Sequence, residues 1–157
     1  MQLKASTDYG MRAILYLAAQ GTTCSSKDIA EDMSIPRDYL IQLAQLLRNA
    51  GIIEARPGKH GGYRLAKEPT EINVLEIIDA LDEDTKQSTR SKRSARKGGE
   101  MVESIREAYG LIEESMSAYL SSLTVAMLLD CVRNGDDSRK FLSERLQEES
   151  RRLASAE

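Results

Sequence analysis

Apolar side chains recur at intervals of three and four residues in the first fifty positions, a spacing that predicts amphipathic helices. The first helix is predicted over residues 7–20 and ends at Gly21, because glycine readily adopts the left-handed conformation that follows many helices. A second, shorter helix follows Ser25 or Ser26, both favoured N-cap residues. Proline lacks the amide proton that would continue a helix, so a third helix is predicted from Pro36 to residue 49.

The pattern then changes from helical to extended. Residues 52–56 and 63–66 are two short strand-like runs, joined by residues 57–62, whose glycines supply the positive φ angles that a hairpin tip needs. The sequence therefore predicts a two-stranded β wing. Beyond it, Asn73 and Glu76 have the spacing of a capping box and predict the start of a fourth helix.

The second half of the chain begins with residues 83–99, a polar segment rich in Ser, Thr, Lys and Arg. Such a composition buries too little apolar surface to repay the entropy lost on ordering, so it predicts a flexible basic linker. The linker divides a domain of helices and wing at residues 1–82 from a helical region at residues 100–157. In that region we also predict a last amphipathic helix, with Leu142, Leu146 and Leu153 on one face.

A coiled-coil-like seam runs through the helix predicted at residues 100–127. Its apolar residues recur alternately at spacings of four and three, which is the pattern of a and d positions. So narrow a seam needs a partner helix, and we therefore expect a homodimer. The predicted dimerisation residues are Ile105, Tyr109, Ile112, Met116, Tyr119 and Leu123.

Composition supports a mainly α fold, since only 4% of the 157 residues are aromatic and 41% are apolar. The longest aliphatic run, residues 125–129, is far shorter than the roughly 20 residues that cross a bilayer. No signal segment opens the chain, so we expect a cytoplasmic protein without a membrane partner.

We find no glycine-rich phosphate loop and no catalytic grouping around the single histidine, so we do not expect an enzyme.

Formal charge is unevenly distributed along the chain. The total is −3, yet the first 70 residues carry nine Lys and Arg against seven Asp and Glu. Residues 86–97 hold six further basic residues and no acidic residue. This run is either a solvated linker or an arm that contacts DNA without sequence preference.

Three helices followed by a two-stranded wing make a winged helix-turn-helix, whose third helix fits the DNA major groove. Arginine can pair with guanine, glutamine with adenine and aspartate with the cytosine amino group, which makes the exposed residues of that helix candidates for base reading. Tyr39 either packs inward or bonds a phosphate. The basic wing tip approaches phosphates or a narrow minor groove. The candidate DNA-contacting residues are Lys27, Arg37, Asp38, Tyr39, Gln42, Arg56, Lys59, His60 and Arg64.

The two cysteines, Cys24 and Cys131, lie far apart in the sequence and form no metal-binding motif. With one histidine in the chain, a closed zinc site is nearly excluded, and we expect neither a metal nor another cofactor. Each cysteine is either a small packing residue or a redox switch; oxidation of Cys24 would act close to the second helix.

Six stretches, taken in order, resemble the Rrf-two family of bacterial regulators, which includes IscR-, NsrR- and CymR-like proteins. They are STDYGMR at residues 6–12, DIAE at 28–31, YLIQL at 39–43, LRNAGII at 47–53, GGYRLA at 61–66 and INVLEII at 72–78. The similarity is good as far as residue 81 and weaker over the long helix to residue 131. It implies a homodimeric winged-helix transcription factor, usually a repressor, whose long C-terminal helices form the dimer.

This chain differs from many members of that family in its cysteines. Many members hold an iron–sulfur cluster on three cysteines in the loop that corresponds to residues 83–99, which here contains no cysteine. We therefore expect a cluster-free regulator. Asp8 lies where some members supply a carboxylate ligand and is expected to remain a polar residue of the first helix. Ile41 replaces a glutamate often found on the recognition helix, so the operator preference of those members does not transfer.

Two further interpretations remain open. In one, the fold is kept but the main partner is a protein or a small-molecule effector, as in CymR-like members, with the acidic second half of the chain offering a contact surface. In the other, Cys24 or Cys131 is a thiol redox sensor. The main interpretation is a dimeric repressor that binds double-stranded DNA at a palindromic operator.

Overall fold

The computed structural model describes residues 4–82 and 99–135, together with residues 140, 142–144, 147–148, 151–152 and 155. In chain order the elements are α1 (Ala5–Gln20), α2 (Ser26–Asp32), α3 (Arg37–Asn49), β1 (Ile53–Arg56), β2 (Gly62–Leu65), α4 (Val74–Leu81), α5 (Glu100–Ser122) and α6 (Val125–Asn134). This mainly helical fold with a two-stranded antiparallel wing confirms the fold class predicted from the sequence.

Helix ends follow the local signals in the sequence. Gly21 has φ 63° and its amide donates to the Leu17 carbonyl at 3.0 Å, which closes α1. Ser25 caps α2, because its hydroxyl accepts from the Asp28 amide at 3.1 Å. Two small differences concern the starts of helices: α1 begins at Ala5, two residues before the predicted start, and α3 begins immediately after Pro36.

The start of α4 is a complete capping box. The Asn73 side chain accepts from the Glu76 amide at 2.9 Å, and the Glu76 carboxylate accepts from the Asn73 amide at 3.3 Å. Two of the free amides at this helix end are therefore satisfied, as the sequence predicted.

The wing is joined to the helices through the loop between α1 and α2. Ile53 pairs with Leu65 and Arg56 with Gly62 across the two strands. The amide of Cys24 donates to the Tyr63 carbonyl at 2.9 Å, and the Tyr63 amide donates to the Cys24 carbonyl at 2.8 Å. These two bonds add a third short segment to the edge of β2 and fix the position of the wing.

One hydrophobic core joins the N-terminal helices to α6. Its largest fully buried side chains are Ile14, Ile29, Leu40, Leu43, Leu47, Ile52, Ile72, Ile77 and Val125. Because Val125 belongs to α6, residues after the predicted linker complete the core of the first 82 residues. The division into 1–82, 83–99 and 100–157 stays a prediction, because residues 83–98 lie outside the described residues.

The prediction of a single helix over residues 100–127 is wrong in its extent, because the helix ends at Ser122 and a new helix begins at Val125. Leu123 is extended and its carbonyl accepts from the Val74 amide at 2.9 Å, while the Val125 amide donates to the Ile72 carbonyl at 2.9 Å. Thr124 then caps α6 by accepting from the Met127 amide at 3.3 Å. Leu123 is consequently a buried residue at a helix break and does not continue the seam of α5.

Other predictions fall on residues that the structure does not describe. These are the basic run at residues 86–97 and the positions of Leu146 and Leu153 in the predicted last helix. Among the helices that the structure does describe, none has the length and apolar character needed to cross a membrane.

Candidate nucleic-acid interface

Helix α3 is sharply divided into a buried face and an outward face. Leu40, Leu43, Ala44 and Leu47 are buried in the core. Asp38, Gln42, Gln45 and Asn49 follow one another at helical spacing and are all exposed, which makes them an outward stripe. A helix with one face anchored and the other free to solvent is suited to enter a groove of DNA.

A groove of about 300 Å³ joins the wing to the starts of α2 and α3. We call it the basic groove, because Lys27, Arg37 and Arg56 all line it. The guanidinium of Arg37 donates from Nε and Nη2 to the hydroxyl of Ser26, both at 3.4 Å, so this cation is positioned by a residue of α2. Three cations from three elements therefore face one concave surface, where a phosphate oxygen can approach them together.

A second groove of about 220 Å³ lies directly between α3 and the wing. We call it the helix–wing groove; its lining residues are Ile41, Ala44, Gln45, Arg48, Ala55 and Tyr63. Together the two grooves show that α3 and the wing lie side by side on one surface. Ile41, Gln45 and Arg48 are not among the candidate DNA-contacting residues named from the sequence. Gln45 and Arg48 follow Ile41 by four and seven residues, so all three lie on adjoining parts of α3.

The wing tip carries two of the predicted residues in the open. Lys59 and His60 are both exposed, and Gly58 beside them has φ 111°, a conformation that suits glycine. Arg64 is different, because it forms an ion pair with Glu54 directly across the two strands. Part of the Arg64 guanidinium is therefore already occupied by a carboxylate, and Glu54 is a partner that sequence analysis did not identify.

Lys27, Tyr39 and Gln42, three further predicted residues, lie in different surroundings. Lys27 is exposed and lies 3.8 Å from a carboxylate oxygen of Glu31. Tyr39 packs inward, with its ring edge-on to that of Tyr9 at 5.8 Å between centroids. Gln42, besides lying on the outward stripe, lines a cavity of about 570 Å³ between α3, the start of α1 and the end of α4.

Cys24 lies at the root of the wing, where it is 8% exposed and its thiol donates to the Thr22 carbonyl at 3.5 Å. Burial, and after it the negative charge of Asp28, raise the pKa of the Cys24 thiol. The reactive thiolate is therefore disfavoured at neutral pH. Cys131 is partly exposed on α6, and the two thiols are not joined by a disulfide.

Helix α5 presents an apolar face to solvent. Four of the predicted seam residues, Ile105, Tyr109, Ile112 and Met116, are exposed, whereas Tyr119 is half-buried near the end of the helix that contacts α4. Every residue of α5 is at least partly exposed in the described chain. A long helix that buries none of its apolar side chains within its own chain has a surface suited to a second helix.

Three helices, a two-stranded wing and a cation-lined groove between them define a winged helix-turn-helix protein of the DNA-binding class. A family model described as Rrf2, iron-dependent transcriptional regulator, matches residues 3–131. The chain belongs to the Rrf2 (Rrf-two) family and is a transcriptional regulator of that type, which confirms the resemblance seen in its sequence motifs. Members of this family are transcription regulators and not enzymes.

Individual relatives agree with this assignment. The HTH-type transcriptional regulator NsrR of Shouchella clausii is 33% identical over 144 residues, which cover 90% of this chain and 95% of that protein. Among solved structures, T. potens IscR is 29% identical with a TM-score of 0.68, covering 87% of this chain and 91% of its own. CymR, the global cysteine regulator of B. subtilis, is 28% identical with a TM-score of 0.66, and the match covers 83% of this chain and 97% of CymR.

The donor set of this chain does not fit a cluster held by three thiolates. The whole sequence contains two cysteines, and residues 83–99 contain none. Cys24 is buried, and both its backbone amide and its carbonyl are hydrogen-bonded to Tyr63 of the wing. Within the described residues, no group of three or more His, Cys, Asp and Glu side chains is arranged to hold a metal ion. Asp8 is instead paired with Arg12 of the same helix, at 2.6 Å between Oδ2 and Nη2.

Proposed function

We propose that this protein is a cytoplasmic, homodimeric repressor that binds a palindromic operator through α3 and the wing, without an iron–sulfur cluster. The observation that carries the proposal is the basic groove, because it brings Lys27, Arg37 and Arg56 together beside an exposed helix. Bound repressor would compete with the transcription machinery for the promoter.

The proposed contacts divide into positioning and reading. Lys27, Arg37 and Arg56 neutralise phosphates along the basic groove, while Lys59 and His60 follow the backbone or the minor groove from the wing tip. Asp38 and Gln42, on the outward stripe of α3, face the base edges. Phosphate contacts set the register of the protein on the duplex, and the base contacts select the sequence.

The proposed dimer supports a palindromic site. The exposed apolar side chains of α5 pair with those of a second copy, since an a/d seam is complementary to itself about a two-fold axis. Two winged domains related in this way address two half-sites about one helical turn apart.

The test is direct binding of the purified full chain to promoter fragments, including the region upstream of its own gene, measured by fluorescence anisotropy at several salt concentrations. We expect a strong preference over random duplexes of the same length, with an affinity that falls as salt increases. Binding that shows no preference up to micromolar protein would contradict the proposal.

A small-molecule effector is a second candidate for the signal. The observation in its favour is the cavity of about 570 Å³ beside Tyr39 and Gln42, a volume in the range of ligand pockets. Its occupation would act on α3 directly. The thiol-switch interpretation receives less support, because Cys24 is buried and its raised pKa keeps the thiol protonated.

A further inference from the structure

Ile41 is an unusual residue for its position. Within residues 4–82, all of which the structure describes, it is the one large apolar side chain that is exposed, at 42%. It belongs neither to the hydrophobic core nor to the side chains packed around that core. The other exposed large apolar side chains of the described chain lie on α5 and α6. Ile41 therefore contributes little to the fold.

The surroundings of Ile41 combine apolar contact with positive charge. Arg37 lies one helical turn before it and Arg48 two turns after it, so the isoleucine is flanked by two cations along α3. The helix–wing groove in which Ile41 lies also includes Ala44, Ala55 and Tyr63. This is an apolar strip inside a basic surface, and it adjoins the groove already proposed to hold phosphates.

The DNA major groove offers donors, acceptors and a single kind of apolar group, the C5 methyl of thymine. An exposed isoleucine on a helix in that groove therefore buries more apolar surface against thymine than against any other base. We propose that Ile41 contacts the C5 methyl of one thymine in each half-site and so selects thymine over cytosine there. This inference rests on the proposed function, because it requires α3 to lie in the major groove.

The probe is the tightest-binding duplex recovered by selection with the full chain from a random 30-base-pair library. Each thymine of this duplex is then replaced in turn by deoxyuridine, which lacks only the methyl group. At one position per half-site we expect affinity to fall about four-fold, the factor that corresponds to one buried methyl. In Ile41→Ala the methyl group makes no such difference, and the two duplexes bind equally.

Val132→Ala is the matched control, because it shortens an exposed aliphatic side chain on α6. It is expected to keep the full deoxyuridine penalty. Ile41→Ala removes an exposed side chain, so its melting temperature is expected to equal that of the parent.

The outcomes separate the two proposals. Selection that enriches no sequence overturns the proposed function and this inference together. Specific binding overturns only the role of Ile41 if no thymine is invariant, if deoxyuridine is tolerated everywhere, or if the penalty persists in Ile41→Ala.

Discussion

Arg37, one of the proposed phosphate contacts, is already held in place by a residue of its own chain. Its guanidinium lies against the hydroxyl of Ser26, so part of the entropy of ordering a long side chain is lost on folding and not on binding. Both residues line the basic groove. The hydroxyl is neutral, so the positive charge of Arg37 stays available to a phosphate.

We predict that Arg37→Ala weakens DNA binding by a similar factor on all sequences. Loss of one phosphate contact per protomer should also lower the slope of log affinity against log salt by about one for each half-site. Arg133→Ala on α6 removes the same charge away from the grooves and is the control. An unchanged salt slope in Arg37→Ala, with preference lost at one base position only, would assign Arg37 to a guanine edge instead.

The hydrogen bond of Tyr16 predicts that the stability of the fold decreases at alkaline pH. Its hydroxyl donates to Asp32 Oδ2 at 2.7 Å, and this hydrogen bond, followed by burial and the negative charge of Asp32, raises the pKa of Tyr16 to about 12. In the unfolded chain the phenol ionises near pH 10. The folded state therefore holds the proton more tightly, and the stabilisation is complete below pH 10 and lost as the pH rises towards 12.

The corresponding measurement is thermal unfolding of Tyr16→Phe beside the parent chain at several pH values. The parent should be the more stable at pH 8, and its advantage should shrink between pH 10 and 12, because phenylalanine has no proton to lose. An advantage that stays constant across this range would show that Asp32 does not hold the proton.

At the scale of elements, the wing depends on a close approach that requires glycine. A Cβ atom on Gly62 would lie 2.0 Å from the carbonyl oxygen of Cys24, so the backbones of β2 and of the α1–α2 loop meet without room for a side chain. This contact also orients the wing relative to α2, and so determines the shape of the basic groove.

We predict that Gly62→Ala costs roughly 1–3 kcal/mol of unfolding free energy, the usual cost of forcing extra atoms into a packed contact. DNA affinity should fall as well, because the wing must move away from α2. Gly110→Ala is the comparison: nothing lies within 4 Å of its Cβ position in α5, so it should stabilise the protein by about 0.5–1 kcal/mol. Urea titrations of both variants test the two opposite signs, and a neutral Gly62→Ala would contradict the packing argument.

At the scale of the whole molecule, the exposed face of α5 accounts for the proposed dimer. Ile112 is 55% exposed in the single chain, so a charge there costs the fold of one protomer little. The same charge in an apolar seam between two helices would be desolvated without a partner, which is unfavourable.

Ile112→Glu is therefore expected to convert a dimer into a 17.5 kDa monomer in sedimentation equilibrium. DNA affinity should fall by roughly 100-fold or more, because the two half-sites are no longer bound together. Val132→Glu adds the same charge at an exposed position of α6 and should leave both the mass and the affinity unchanged. A monomeric parent chain would overturn the proposed dimer outright.

The break between α5 and α6 could not be predicted from the sequence. Apolar spacing over residues 100–127 indicates one helix, since the window contains no proline. The break is stabilised by backbone bonds to Ile72 and Val74, about fifty residues earlier in the chain. Local spacing carries no information about such a partner, and for the same reason the pairing of Cys24 with Tyr63 was not foreseen.

The sequence by itself determined the features that depend on neighbours within about four residues: the presence and order of α1–α3, the glycine and capping-box ends, the hairpin and the motifs of the Rrf2 family. Only the tertiary structure decided that α6 completes the N-terminal core, that Arg64 is paired with Glu54, and that Ile41 stays exposed beside the wing. The physical reason is the range of the interactions. Helix caps and turns are stabilised by residues adjacent in sequence, whereas burial and cross-strand pairing depend on which distant segments pack together.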